Sequence, residues 1–152
     1  MSAITLEVIQ AKQTELAKLI EQFQKPAPVV TYIEVEDITI KLQPGEHYAG
    51  TVLDEDGDLE HHLVLMAQRP DKKLNWQAAM DWAKSIGGSL PSRQEQALLF
   101  ANCKPHLDPS WHWSSHIHED DASSAWYCRF SNGRQYFTLK SYDGAAVAVR
   151  RL

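Results

Sequence analysis

The sequence contains little of what marks the specialised classes of protein. It has two cysteines in 152 residues, too few for a domain held together by disulfides. No apolar run approaches the roughly 18–20 residues of a membrane span, and the first dozen residues lack the basic and then apolar pattern of a signal peptide. Seven prolines and seven glycines exclude collagen-like and low-complexity architecture. We therefore expect a soluble protein without an export signal or a membrane-inserted segment.

The overall composition is that of an ordinary globular domain with a short appendage. Hydrophobic residues make up 43% and charged residues 23% of the chain, so wholesale disorder is excluded. The net charge of −5 argues against a protein that binds the phosphate backbone of nucleic acids. The basic residues are scattered: Arg150 and Arg151 lie at the end of the sequence, and Arg129 and Arg134 fall on neighbouring predicted strands. A small positive patch is one interpretation of this pair, but solvated strand faces and salt bridges are the simpler one.

The N-terminal segment, residues 1–25, is predicted to contain a helix from about Ala3 to Gln24. It has no glycine or proline until Pro26 and Pro28, which end it. Its a and d heptad positions are apolar except for one glutamine: Leu6, Ile9, Gln13, Leu16, Ile20 and Phe23. This pattern favours an oligomerising coiled coil, a trimer or tetramer in which Gln13 fixes the register. The alternative is an amphipathic helix packed on its own domain.

Residues 26–44 are predicted to hold a linker and the first strands. X-Pro steps favour extended backbone in Lys25–Val30, and β-branched residues predict strands at Thr31–Val35 and Asp37–Leu42. Residues 45–152 are predicted to form the main domain. Its expected strands are His47–Leu53, His61–Gln68, Trp111–Ile117, Ala125–Phe130, Gln135–Leu139 and Ala145–Arg150.

Two short helices interrupt these strands. Asn75 is expected to cap a helix over Trp76–Ile86, and the sequence Ser92-Arg93-Gln94-Glu95 predicts a capping box for a helix that runs to about Asn102. The acidic run Asp54–Asp58 lacks the ligand spacing of a calcium loop and is predicted to be a solvated hairpin turn. Segregated runs of strands and helices indicate an α+β fold.

Several motifs in this region occur together. They are "LNWQAAMDWAKSIGGSLPSRQEQALL" (Leu74 to Leu99), "WHWSS" (Trp111 to Ser115), "AWYCRFSNGRQ" (Ala125 to Gln135) and the closing "AVRRL" (Ala148 to Leu152). The combination resembles a family of unknown function in phages, prophages and bacterial surface proteins. It is similar to the C-terminal domain of bacterial collagen-like adhesins. The resemblance implies a C-type-lectin-like fold with a twisted antiparallel sheet, two helices and long loops that present a ligand surface.

The resemblance also implies which residues are structural. It assigns Trp76, Trp82, Trp113 and Trp126 to the core. The Glu-Pro-Asn, Gln-Pro-Asp and Trp-Asn-Asp motifs of calcium-dependent sugar binding do not occur, so we expect no calcium-bridged sugar site. We place the ligand surface on aromatic and polar residues outside the structural motifs: Trp111, His112, His116, His118, Tyr136, Ser141, Tyr142 and Asp143.

Other chemistry is weakly supported. His112, His116 and His118 carry imidazoles that can bind zinc or nickel, but no cysteine pair accompanies them, and an exposed polar loop is the simpler interpretation. Cys128 alternates with Tyr127 and Arg129 on a strand, which suits a buried thiol rather than a nucleophile. We expect no enzyme activity, no cofactor and no bound metal.

Two functional hypotheses follow. In the first, the protein is a phage or prophage module that binds a protein or cell-surface ligand and gains avidity by oligomerising. In the second, it is an intracellular phage accessory protein that binds and inhibits a host protein. The first predicts a place in the virion and the second a place in the host cytoplasm.

Overall fold

The computed structural model of the protein describes residues 4–35 and 38–152, which form an α+β fold as expected. These residues contain three α-helices, a short 3-10 helix and eight strands. In chain order they are α1 (Leu6–Gln24), β1 (Thr31–Val35), β2 (Ile38–Leu42), β3 (His47–Leu53), β4 (Leu59–Leu65), α2 (Trp76–Ser85), α3 (Arg93–Cys103), the 3-10 helix (Lys104–His106), β5 (Trp111–His118), β6 (Asp121–Arg129), β7 (Gln135–Leu139) and β8 (Val149–Arg151).

The strands form three small antiparallel sheets. β1 pairs only with β2, while β4 lies between β3 and β8, and β6 lies between β5 and β7. Isolated bridges connect the second and third sheets to the chain around them, including one between Ser89 and Val149 and one between His112 and Ala145. Short sheets of this kind depend on packing against helices and against one another, because a few strands bury too little apolar area alone.

Two apolar clusters make up most of the core. One packs β3, β4 and β8 against α3 and the end of β6, and its buried side chains include Leu63, Leu65, Leu99, Phe130 and Val149. The other packs α2 against β5 and β6 around Trp76, Ala79, Ala83, Leu90 and Trp113. The residues Ala146–Ala148, although irregular, are buried between these regions.

The two buried tryptophans hold the second cluster together by polar contacts as well as packing. The Trp76 indole donates a hydrogen bond to the Ser114 carbonyl at 2.9 Å, and the Trp113 indole donates to the Leu74 carbonyl at 2.9 Å. A buried indole N–H without an acceptor is costly. These two bonds therefore fix β5 relative to α2.

A buried carboxylate joins α3 to the second sheet. Glu95 is 1% exposed and accepts two hydrogen bonds from the Arg151 guanidinium, at 2.8 and 2.6 Å. It also accepts from the Ser92 amide at 2.8 Å, which completes the predicted capping box, and from His61 Nε2 at 2.9 Å. Burial alone would raise the pKa of Glu95, but the hydrogen bonds from Arg151 and Ser92 outweigh it and lower that pKa.

Arg150, the neighbour of Arg151, makes the same kind of contact on the opposite side of the strand. Its guanidinium donates to both carboxylate oxygens of Glu46, at 3.0 and 2.8 Å, and to the Lys41 carbonyl. The Glu46 carboxylate also accepts from the Gln43 amide at 2.8 Å. The prediction that salt bridges occupy the basic residues is confirmed for this C-terminal pair.

The N-terminal helix packs on no other part of the chain that the structure describes. Thr5 caps it through a hydrogen bond from the Val8 amide, and within the described residues none of the α1 side chains is buried. The predicted a and d residues are exposed on this helix, with Phe23 at 91%. The prediction of a helix that ends at Gln24 is therefore confirmed, while its predicted start at Ala3 lies outside the described residues.

Several boundaries differ from the predictions. The predicted strand His61–Gln68 is β4, which begins at Leu59 and ends at Leu65. The predicted strand Ala145–Arg150 shortens to β8, because Ala145 forms only a single bridge. The second strand of the predicted linker region belongs to the folded part, since Ile40 and Leu42 of β2 are buried against Val64 of β4. Asp37 lies outside the described residues.

The buried carboxylate supplies a stability test. We expect Glu95→Gln to lower the free energy of unfolding by about 3 kcal/mol, because removing one partner of a buried ion pair leaves the other without compensation. Urea unfolding at neutral pH measures this loss. The matched control is Glu55→Gln, which replaces an exposed glutamate in the acidic turn. It should leave the free energy of unfolding within about 0.5 kcal/mol of the unsubstituted protein. Equal stabilities for the two variants would contradict the central role of Glu95.

Candidate functional site

The structure separates the eight predicted ligand residues into three groups. Five are exposed: His116, Tyr136, Ser141, Tyr142 and Asp143, with both tyrosines at 55%. Trp111 and His118 are half-buried. His112 is only 2% exposed, so the structure contradicts its predicted place on a ligand surface.

Tyr136 lines a cleft of about 400 Å³ on the β6–β7 hairpin. The other lining residues are Tyr127, Arg129, Asn132 and Arg134. Tyr127 pairs with Tyr136 across the hairpin. Side chains two residues apart on a strand share a face, so the same register places Arg129 opposite Arg134 on the tyrosine face. The cleft volume is in the range of small-molecule sites.

The turn between these strands is held rigidly. The Arg129 amide donates to the Arg134 carbonyl at 2.9 Å, and the Gly133 amide donates to the Arg129 carbonyl at 2.7 Å. Gly133 has a φ of +77°, and a Cβ there would lie 2.8 Å from the Phe100 ring of α3. A glycine is therefore needed both for the backbone angle and for the close approach to α3. This turn fixes the spacing of the two arginines.

The cleft is connected to the core through Tyr127. The Tyr127 ring lies 4.9 Å from the ring of Trp111, and Trp111 lies edge-on to the buried Trp113 ring at 5.0 Å. Trp111 also covers the backbone of Gly144. Trp111, the aromatic favoured for ligand contact, therefore supports the cleft from below instead of standing free in a loop.

His112 points away from this face. Its ring packs 4.8 Å from the Phe130 ring, and its Nδ1–H donates to the Ser110 carbonyl at 3.0 Å. Burial lowers the pKa of His112 to about 4, although that hydrogen bond and the Asp108 carboxylate oppose the shift. A strand places successive side chains on opposite faces, which explains why this histidine is buried next to a half-exposed tryptophan.

The other two histidines of the predicted cluster lie in different environments. His118 stacks on Trp126 at 5.3 Å and contacts Phe137 at 4.0 Å, whereas His116 is exposed. Across residues 4–35 and 38–152, no three histidine, cysteine or acidic side chains come together as metal ligands. Trp126, predicted to be a core residue, is only half-buried and is covered by the Arg93 guanidinium at 3.5 Å.

Cys103 and Cys128 are both buried and free of a disulfide. Burial raises the pKa of each thiol to about 11. A nucleophilic cysteine reacts as the thiolate, and at neutral pH both residues are protonated. Their positions in the core cluster with Leu99 and Phe130 give them a packing role.

Tyr127 and Asn132 are not among the predicted site residues, and Arg129 and Arg134 were weighed only as a small positive patch on neighbouring strands. The signal was present in the segment Tyr127–Tyr136, where tyrosine and arginine alternate on both sides of Ser131-Asn132-Gly133. A tight turn at that point brings the four large side chains to one face of a hairpin. Solvated strand faces and salt bridges were the simpler interpretation of the two arginines, but neither arginine forms a salt bridge within the described residues.

Comparison with known proteins adds no assignment, since neither a protein-family model nor a curated protein matches this chain. In the described part of the chain, no helix has the length and apolar character needed to cross a bilayer.

The buried histidine predicts a pH dependence of stability. The pKa of His112 is about 4 in the folded protein, against a usual value of 6.5 for histidine. Between these two pH values the unfolded state therefore binds a proton that the folded state does not. Stability is therefore complete above about pH 6.5 and falls as the pH drops toward 4. Between pH 7 and 5 this residue should account for a loss of about 2 kcal/mol, measured by urea unfolding.

Two variants isolate that contribution. His112→Gln should remove most of the loss between pH 7 and 5, while His116→Gln, at an exposed position, should keep it. Burial also lowers the pKa of His47, so a smaller dependence of the same sign should persist in both variants. An unchanged pH slope in His112→Gln would refute the assignment.

The contact between Trp111 and Gly144 predicts a packing effect on the cleft. A Cβ at residue 144 would overlap the Trp111 ring. We expect Gly144→Ala to displace that ring, to alter the near-UV circular dichroism and to lower stability by about 1–3 kcal/mol. Asp143→Ala, at the exposed neighbouring position, should change neither. A near-UV spectrum unaltered by Gly144→Ala would show that Trp111 does not depend on this contact.

Proposed function

We propose that this protein is a non-enzymatic ligand- or receptor-binding module of a phage or prophage, displayed as a trimer or tetramer through α1. The observation that carries the proposal is the cleft between Tyr127 and Tyr136. It has aromatic walls, hydrogen-bond donors and a rigid turn, and it stands on a well-packed domain. Binding sites typically combine a preformed apolar surface with a few fixed polar groups.

The helix α1 supplies the means of display. Its apolar side chains at the heptad positions are exposed in the single chain, from Ile9 at 46% to Phe23 at 91%. The helix α1 has no buried residue and so gains little from its own domain, whereas most helical stability in proteins comes from packing of an apolar face. A second copy of α1 is the occupant that a heptad pattern fits best.

The segment after α1 suits a display arrangement. Residues 26–30 have no regular structure and are exposed, and they include Pro26 and Pro28. Proline-rich segments are extended and semi-rigid, so this segment separates the coiled coil from each domain. Several weak sites on one oligomer then gain avidity toward a repetitive cell surface.

The C-type-lectin-like fold belongs to this proposal. The α+β class, the two helices α2 and α3 between the strands, and the return of β8 to pair with β4 support it. The motifs around Trp113 and Glu95 fall at buried positions, which agrees with the structural roles that the resemblance implies for them.

The oligomer is tested by light scattering with size exclusion on the full chain. We expect a trimer or tetramer, and we expect Leu16→Lys to convert it to a monomer because the lysine would enter the apolar seam. Ala11→Lys is the matched control, since residue 11 lies at the f position, opposite the seam, and should leave the oligomer intact.

The binding function is tested by measuring the attachment of labelled protein to a panel of bacterial species. Bound oligomer should exceed bound Leu16→Lys monomer by about a hundredfold at equal domain concentration, and Tyr136→Ala should reduce attachment. A monomeric full chain, or equal attachment by oligomer and monomer, would contradict the proposal. A monomer would instead favour the hypothesis of an intracellular inhibitor of a host protein.

A further inference from the structure

The two arginines of the cleft lie opposite each other on neighbouring strands. The register of β6 and β7 places Arg129 opposite Arg134. Among the described residues neither guanidinium forms a salt bridge or a side-chain hydrogen bond, whereas Arg93, Arg150 and Arg151 all contact glutamates. Like charges directly opposite on neighbouring strands destabilise a sheet. This arrangement is unfavourable in the unliganded protein and favourable once an anion lies between the arginines.

The remaining polar groups of the cleft also match an anion. The Asn132 side-chain oxygen accepts from the Arg134 amide at 3.0 Å, which leaves the amide nitrogen to donate to a ligand. Tyr127 and Tyr136 contribute hydroxyl groups. The lining residues include no carboxylate, although the chain as a whole carries a net charge of −5. The cleft is thus a local concentration of donors on an acidic protein.

The aromatic walls indicate what the anion is attached to. Tyr136 is 55% exposed, and its ring is held by stacking on Phe137 at 4.8 Å. Tyr127 is held by Trp111. Both rings line the cleft beside the two arginines, and a ring of a ligand packs on a ring that is already held in place at little entropic cost.

We infer that the cleft binds a small ring compound that carries a carboxylate or a phosphate. The planar guanidinium groups of Arg129 and Arg134 hold the two or three oxygens of the anion, as arginines do in bidentate recognition. Asn132 donates a further hydrogen bond, and the ring lies on Tyr136. This inference rests on the proposed binding function and names the chemistry of its ligand.

Titrations of the full chain with four ring compounds and with inorganic phosphate test the inference. Glucuronate and adenosine 5′-monophosphate carry an anion on a ring, and glucose and adenosine are their neutral counterparts. In nuclear magnetic resonance spectra we expect the two anions to shift the signals of Arg134 and Tyr136. We expect each neutral compound to bind at least about tenfold more weakly, which is the range for losing a charge-assisted hydrogen bond. Added salt should weaken the anions most.

Variants assign the effect to the arginines. The double variant Arg129→Gln and Arg134→Gln should weaken anion binding at least about tenfold, while Lys84→Gln, which removes an exposed positive charge on α2, should not. The double variant should also raise the urea midpoint of the unliganded protein, because it removes the opposed charges. The higher midpoint distinguishes a ligand-binding role of the two arginines from a structural role, because loss of structural contacts would lower the midpoint.

Three results would overturn the inference. Equal affinity for the neutral and the anionic probes would refute anion recognition while leaving a binding cleft in place. Inorganic phosphate alone binding as tightly as adenosine 5′-monophosphate would refute the ring contact. The absence of any shift in the β6–β7 signals with all probes would refute the ligand class. The oligomeric state of the full chain, measured separately, decides the proposed display function independently of these outcomes.

Discussion

The contact between Glu95 and Arg151 determines how the halves of the domain are assembled. Glu95 lies in the first turn of α3, Arg151 ends β8, and His61 lies on β4, so one buried carboxylate fixes a helix end and two strands. Its four hydrogen bonds compensate the burial of the charge, as a buried ion pair requires. Arg150 repeats the arrangement with Glu46 on the other side of β8. The strand β8 is short, and these two ion pairs hold it where three residues of pairing alone would be weak.

The stability that these ion pairs supply allows the sheet of β5, β6 and β7 to carry an unfavourable arrangement of charges. The pair of opposed arginines costs stability in the free protein, and the buried tryptophans of β5 and α2 supply packing that the cleft residues do not. Tyr127, which lines the cleft, contacts Trp111, and Trp111 in turn contacts Trp113. The cleft is therefore connected to the core through rings, while its charged groups remain at the surface, where a ligand can reach them.

Local signals in the sequence predicted the helices well. Asn75, and Ser92 with Glu95, form the predicted caps of α2 and α3, because capping depends on residues three or four positions apart. Thr5, which caps α1, was not among the predicted caps. The candidate site was predicted less well. Tyr136 was identified as a site residue, but Arg129 was not, and the buried His112 was placed at the surface. Such assignments depend on strand register and on which face is covered, and neither is a local property.

The order of elements along the chain has a consequence for folding. Arg150 and Glu46 are 104 residues apart, and β8 follows every other described element. Contacts between distant residues form slowly, whereas a helix forms within about a microsecond. During synthesis α1 is complete long before β8 exists, and β4 has an open edge until then. If α1 associates as proposed, several unfinished sheets lie side by side before the domains close, and the C-terminal strand of one copy then competes with those of its neighbours for its own β4.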